Sequence, residues 1–382
     1  MKRLLAAIGV IVVVLSAGLG LFLKWNYGGG AEFPDRRTSP QLSADAVEVL
    51  VELPYPPGNV AADNPERVFF SFHPEGRPPT NVALWEAGEW RPWPGPQWQP
   101  GGEHPQAFHE VLSLRLDAPR RRLWVLDTGR HGLHAPRVMA FNADTGVLEQ
   151  EHHFDAELAG PGSHFNDFQI SPDGQTLYIA DASFFAQTPA LVVFELGTQQ
   201  ARRLLESHAS TRAERYVPVV AGRRMELFGL VSIRPGVDSI ALDPEGTWLY
   251  FASVTSNYLW RVRTQDLRNV ELTAAQLAAK VQRLGLKTMS DGILSPAMGQ
   301  IVLTDPEHPA LHTIGPQQAL QTLVEHPLLR WPDGLSMDNQ GNLYITASGL
   351  HLFMGKSSRA ISDQAPWHIL RMSSESFASV SQ

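Results

Sequence analysis

The chain of 382 residues contains no cysteine. That absence excludes disulfides, zinc–thiolate sites and a thiol nucleophile. Positive charge is not in excess either. The 31 Lys and Arg against 39 Asp and Glu give a formal net charge of −8, so a nucleic-acid partner, which normally needs a basic face, is not expected. The chain has no G-x-S-x-G, H-E-x-x-H or Walker sequence. Nucleophilic serine catalysis therefore has no support, and no nucleotide or flavin cofactor is expected.

What the chain does have is turns. The 31 Gly and 29 Pro punctuate short strand-like runs, a composition that favours an all-β fold over a helical bundle. The exception is the N-terminus. Lys2 and Arg3 precede 20 uncharged residues, Leu4 to Leu23, in which only Ser16 is polar. A helix of that length spans about 30 Å, the thickness of a bilayer core. The bulky "LFLKW" after the small residues favours an uncleaved signal-anchor over a cleaved leader. The short basic tail stays on the cytoplasmic side, which leaves the body outside, membrane-anchored or, if the segment is cleaved, secreted. Residues 25–58, with "GGG" and "PYPPG", read as a linker carrying one strand around "AVEVLVEL".

From residue 59 a phrase recurs: a polar leader, a short apolar strand, a Pro/Asp/Asn/Gly turn, and a second strand of the type "LY-I-A". It runs "NDFQISPDGQTLYIAD" from Asn166, "DSIALDPEGTWLYFAS" from Asp238, "DGILSPAMGQIVLTD" from Asp291 and "DGLSMDNQGNLYITAS" from Asp333. Weaker copies begin at Asn59 and Leu112. Six copies spaced by 53, 54, 72, 53 and 42 residues predict a six-bladed β-propeller over residues 59–382. The long gap before Asp238 reads as an insertion over one face. "TAAQLAAKVQRLG", 273–285, reads as an amphipathic helix with Leu277, Val281 and Leu284 on one side.

Equivalent repeat positions come to equivalent heights around a propeller axis, so the six leaders form a ring in the channel, with Asp167 and Glu110 beside it. Converging carboxylates repel unless their pKa values rise or a cation sits among them. Asn166, Asp238, Asp291 and Asp333 are the candidate metal ligands, and Asn59 and Asp167 further channel residues. An all-oxygen set suits one divalent cation, Ca²⁺ ahead of Mg²⁺ or Mn²⁺. His109, His164 and Glu110 are the candidate acid–base residues, with His131 and His351 as candidates for the channel rim. The turn acids Asp173, Asp243, Glu245 and Asp338 read as structural. Trp85, Trp90, Trp93 and Trp98, packed into 14 residues, read as packing between blades ahead of a ligand platform.

The phrases "LWVLDTG", "FNDFQISPDGQTLYIADAS", "ALDPEGTWLYFASVTSNYLWRVRTQDLRN", "SDGILSPAMGQIVLTD" and "WPDGLSMDNQGNLYITASG" resemble, in order, those of the yellow / major royal jelly protein family. The resemblance covers about residues 66–350 and implies a six-bladed propeller. It also implies one of several roles on a small cyclic or aromatic metabolite: isomerisation of the dopachrome tautomerase type, binding of small amines in the channel, or a nutritional or structural role. The insect members' cysteines are absent here. The metal logic is similar to that of the neighbouring gluconolactonase/regucalcin-like propellers, whose channel Ca²⁺ is held by Glu, Asn, Asn and Asp. On that resemblance Asn166 stands for one Asn, Asp238 replaces the other, and Asp333 matches the Asp. Leu112 occupies the strict position of the Glu, with Glu110 two residues upstream. A small-molecule ligand and the membrane are the partners implied, and no protein partner is named. Three roles stay open: channel isomerase, metal-dependent lactone hydrolase, or non-catalytic binding or scaffold protein.

Overall fold

The computed structural model describes residues 2–297 and 299–378. Six four-stranded antiparallel sheets form the body. Blade 1 contains Pro57–Asn64, Arg67–Phe72, Val82–Glu86 and Glu89–Pro92. Blade 2 begins at Val111–Asp117 and ends at Leu148–His153. Blade 3 begins at Phe165–Ile170 and ends at Gln200–Leu204, and blade 4 begins at Val237–Leu242 and ends at Gln282–Leu286. Blade 5 begins at Ile293–Ala297 and ends at Leu320–Glu325. Blade 6 takes three strands from the C-terminal part, Pro332–Met337, Leu343–Ala347 and Trp367–Met372, and its outer strand, Glu48–Leu53, from near the N-terminus. Ring closure thus joins Glu48 to Arg371 and Leu53 to Trp367, leaving no open seam between the first and last blades.

The strands form where the repeat places β-branched and aromatic residues, and the turns form where it places Asp, Asn and Gly. In the blade 4 hairpin, Asp243 Oδ1 accepts the backbone N–H of Thr247 at 2.6 Å and of Trp248 at 3.1 Å. Asp338 does the same in blade 6 for Gln340 and Asn342. These are turn-stabilising bonds of short polar side chains. The core lies between adjacent blades. Trp93 and Trp98 are buried there, packed with Phe69, Phe108 and Phe141 between blades 1 and 2, while Trp85 and Trp90 pack at the blade 6–blade 1 interface. None of the four lines the central cavity.

The helix over 273–285 is shorter than the sequence pattern predicts. Thr273 and Gln276 form a capping box that starts a helix at Ala274, and Leu277 is buried, but the helix stops at Ala278. The free edge of Tyr258–Arg263 then captures Gln282–Leu286 as the outer strand of blade 4. A five-residue helix has too few internal bonds to resist that pairing. The long insertion between blades 3 and 4 carries two small hairpins, Val219–Val220 with Arg223–Arg224 and Glu226–Leu227 with Val231–Ser232.

Candidate functional site: an acidic central channel

The leaders reach the channel through a shared backbone device. In blades 2, 3 and 4 the pairing of the first two strands slips between Val111 and Ser113, Phe165 and Asp167, and Val237 and Ser239. Leu112, Asn166 and Asp238 are therefore bulged residues. A bulge re-aims one side chain away from the sheet face, and here it aims the leader at the axis. The same slip spans Gly58 and Asn59 in blade 1, and Asp333 and Gly334 in blade 6.

Groups at the end of the second strand fix the approach to the bulge. Asp127 accepts the N–H groups of His109 and Glu110, both at 2.9 Å. Asp181 accepts that of His164 at 2.7 Å. Thr304 Oγ1 accepts those of Asp291 and Gly292. A Cβ on Gly292 would lie 1.8 Å from the carbonyl oxygen of Asp333, so two leader backbones touch there in a way only glycine permits.

The ring lies at the base of a cavity of about 360 Å³. Leu112, Asn166, Asp238, Asp291 and Asp333 all line it, as do Glu110 and His164. Its upper wall is apolar, with Phe184, Phe185, Leu227, Ile233, Trp331 and Met354. Among the described residues, no Lys or Arg lines this cavity. Asn59 and Asp167 lie below the ring, in a second chamber of about 30 Å³, room for about one water. Arg115 stands between the two. Its guanidinium binds both carboxylate oxygens of Asp167, at 2.6 and 2.8 Å, and Oδ1 of Asn59 at 2.7 Å. Ser113 Oγ adds a bond to Asp167 at 2.5 Å. The charge of Asp167 is thus matched within the protein.

The other three carboxylates have no such partner. Burial first, then the neighbouring Asp291, pushes the Asp238 carboxyl well above the usual range. Burial and Asp291 do the same to Asp333. Asp291 is raised by burial, although the Trp331 N–H and a hydrogen bond from Asp238 oppose this. Asn166 Nδ2 also donates to Asp238, and Trp331 Nε1 donates to Asp291 Oδ2 at 2.5 Å. At the cavity rim, burial raises the Glu110 carboxyl, which accepts the Thr128 hydroxyl at 2.9 Å.

By donor chemistry the floor suits a hard divalent cation. Among the described residues, no group of three or more His, Asp and Glu side chains is placed to hold a metal ion, because Asp238 is turned to Asn166 and Asp291, and Asp291 to Trp331.

The structure brings together Glu110, His164, Asn166, Asp238, Asp291 and Asp333 around one cavity, with Asn59 and Asp167 beneath it. It places His109 apart. Half-exposed, that imidazole lies 3.7 Å from Asp127 and stacks on His134 at 5.2 Å. His351 stacks on Trp331 at 6.2 Å, and burial lowers its pKa to about 4. The side chain of His131 lies outside the described residues. Sequence reading missed His73 and Glu75, which line the same cavity, and also Arg115 and Trp331. An arginine inside the apolar inner strand "LSLRLD", and a tryptophan two residues before the sixth leader, were the available signals.

A closed six-bladed propeller with an acidic channel defines the class. The sequence profile of the major royal jelly protein family matches residues 111–374, and the chain belongs to that family. No curated protein sequence matches the chain. Among solved structures, a gluconolactonase from Xanthomonas campestris is similar at 12% identity, covering 90% of this chain and 96% of that one, with a TM-score of 0.53. A calcium-binding protein, regucalcin, from Agrobacterium tumefaciens is similar at 15% identity over 85% and 92%, with a TM-score of 0.53. A luciferin-regenerating enzyme is similar at 13% identity over 85% and 94%, with a TM-score of 0.52. At these identities the likeness establishes the fold alone.

Proposed function

We propose that the channel binds a small aromatic or cyclic metabolite carrying a positive charge. One observation carries the reading. Three carboxylates, Asp238 buried and Asp291 and Asp333 partly buried, form the floor of a cavity whose lining offers no Lys or Arg among the described residues and whose wall is apolar. An ammonium on that floor would offset the mutual repulsion of the carboxylates, and the ring would lie against Trp331 and Phe184. A cavity of about 360 Å³ is at the small end of ligand sites.

Turnover of the isomerase type, which the family resemblance suggests, requires a proton to leave one atom of the ligand and return to another. Glu110 and His164, on the cavity wall with His73 and Glu75, are able to take and return it. The same reading puts the propeller outside the cytoplasm, with the apolar helix Lys2–Tyr27 as its anchor and the basic N-terminal tail on the cytoplasmic side.

A divalent cation on the same floor, with lactone hydrolysis as its activity, is the second reading, favoured by the oxygen-only donor set. It would compete with the protons that the raised Asp238 and Asp291 carboxyls favour.

Calorimetric and thermal-shift titration separates the two. Tyramine and its neutral analogue 4-ethylphenol are compared with Ca²⁺ before and after EDTA, using the full chain in detergent. Stabilisation by tyramine but not the phenol, lost in Asp333→Asn, supports the amine reading. Stabilisation by Ca²⁺ that EDTA reverses supports the second. No response to either defeats both.

A further inference from the structure

The N-terminal helix is fastened at its end to the loops that form the channel mouth. Val10–Tyr27 is long and apolar enough to cross a membrane, with a mean hydropathy of 1.7 and none of it buried. At its last turn, Lys24 Nζ donates to the Gly229 carbonyl at 2.8 Å and lies 3.6 Å from the Glu226 carboxylate. The Tyr27 hydroxyl donates to the carbonyl of Phe185 at 2.9 Å. Arg234 donates to the carbonyl of Tyr27, and Ser232 to that of Gly29, both at 2.9 Å. Phe185, Leu227 and Ile233 from these same segments line the cavity.

The hairpin Glu226–Leu227/Val231–Ser232 links the two places. Leu227 faces the cavity. One residue on, Phe228 stands at the tip, 92% exposed on a left-handed backbone with φ 52°. The next residue, Gly229, is the one held by Lys24. Lys24, Trp25 and Tyr27 are of the residue types that mark a membrane–water boundary, and Trp25 is 84% exposed. The bond to Gly229 sets the hairpin tip at that level. Phe185, also exposed, is held there through Tyr27. Arg223 and Arg224, exposed just before the tip, suit anionic headgroups. The hairpin joining the third and fourth strands of blade 2 leaves the opposite face of the ring, and its Val147 is exposed.

We propose that the propeller sits mouth-first on a lipid bilayer. The helix crosses it, Phe228 and Phe185 enter the interfacial layer, and the channel opens onto that layer. An amphipathic cation that partitions into the interface would then reach the acidic floor without leaving the membrane surface. That last consequence rests on the ligand reading above, whereas the placement does not.

The absence of cysteine makes the placement directly measurable. Phe228→Cys and Val147→Cys are made separately in the full chain, spin-labelled, and reconstituted in phosphatidylcholine/phosphatidylglycerol vesicles, with the intact mass confirmed. Collision of each label with oxygen, which concentrates in lipid, is compared with collision with a water-soluble nickel chelate. The label at 228 is expected to favour oxygen, and the label at 147 the chelate. Equal access of the chelate to both positions would overturn the proposal. The ligand reading is tested separately by the tyramine titration in detergent, so either can fail alone.

Discussion

The indole N–H of Trp331 meets a carboxylate oxygen of Asp291 at 2.5 Å, and this bond holds the aromatic wall of the channel to its acidic floor. Replacing Trp331 with Phe keeps most of the ring and removes the donor. A hydrogen bond to a charged group contributes about 1.5–3 kcal/mol. Tyramine affinity is therefore expected to fall by roughly 10-fold or more in a calorimetric titration, with a smaller effect on melting temperature. Unchanged affinity would remove Trp331 from the site.

Arg115 is expected to matter for folding rather than for the ligand. It is the charge partner of Asp167 and the donor to Asn59. Arg115→Met leaves a buried carboxylate unmatched, which costs about 3–5 kcal/mol in comparable cases. Chemical denaturation should report a loss of that order. The double variant Arg115→Met/Asp167→Asn should recover much of it.

The raised carboxyls set a sign for pH. Asp238 and Asp333 bind their protons more tightly in the folded state than in the unfolded chain. Between the ordinary carboxylate value, about 4, and their raised folded values, the folded state holds more protons. Their contribution is thus fully present below the ordinary value and is lost as pH rises through the folded values. His351, with its pKa lowered by burial to about 4, acts oppositely between about 4 and the ordinary histidine value of about 6.5. The difference between the native chain and Asp333→Asn isolates the aspartate. Asp333→Asn is expected to melt higher at neutral pH, with the gap closing toward pH 4. A gap independent of pH would contradict the assignment.

Gly292→Ala tests the close approach of two leaders. Its Cβ would collide with the Asp333 backbone, and overpacking of this kind costs about 1–3 kcal/mol. A lowered melting temperature together with weakened tyramine binding is expected, because the collision displaces Asp333 itself. Gly197, whose Cβ would meet nothing within 4 Å, provides the control.

The propeller and its ring of leaders were legible because each blade repeats the same strand–turn–strand phrase, and a repeat fixes relative position without any contact being known. Asn166, Asp238, Asp291 and Asp333 follow from that alone. Arg115 and Trp331 break the repeat, so nothing in the pattern announced them. Their roles depend on which side chain faces which across the axis, between strands far apart in sequence. The bulge that turns the leaders of blades 1, 2, 3, 4 and 6 inward was also invisible, since it changes pairing and not composition. The region 273–285 misled for a related reason. Its helical periodicity is genuine, but an open strand edge elsewhere in the chain outweighed it.

The closing strand Glu48–Leu53 pairs with Trp367–Met372, and so with a segment on the far side of the other five blades in the chain. A contact over so long a loop forms late. Until then five blades' worth of chain must wait with both flanks of the ring unsealed. Sealing the ring is therefore a proofreading event: a chain cut short anywhere before residue 367 never acquires a closed ring of blades, and its unpaired edges expose it to degradation.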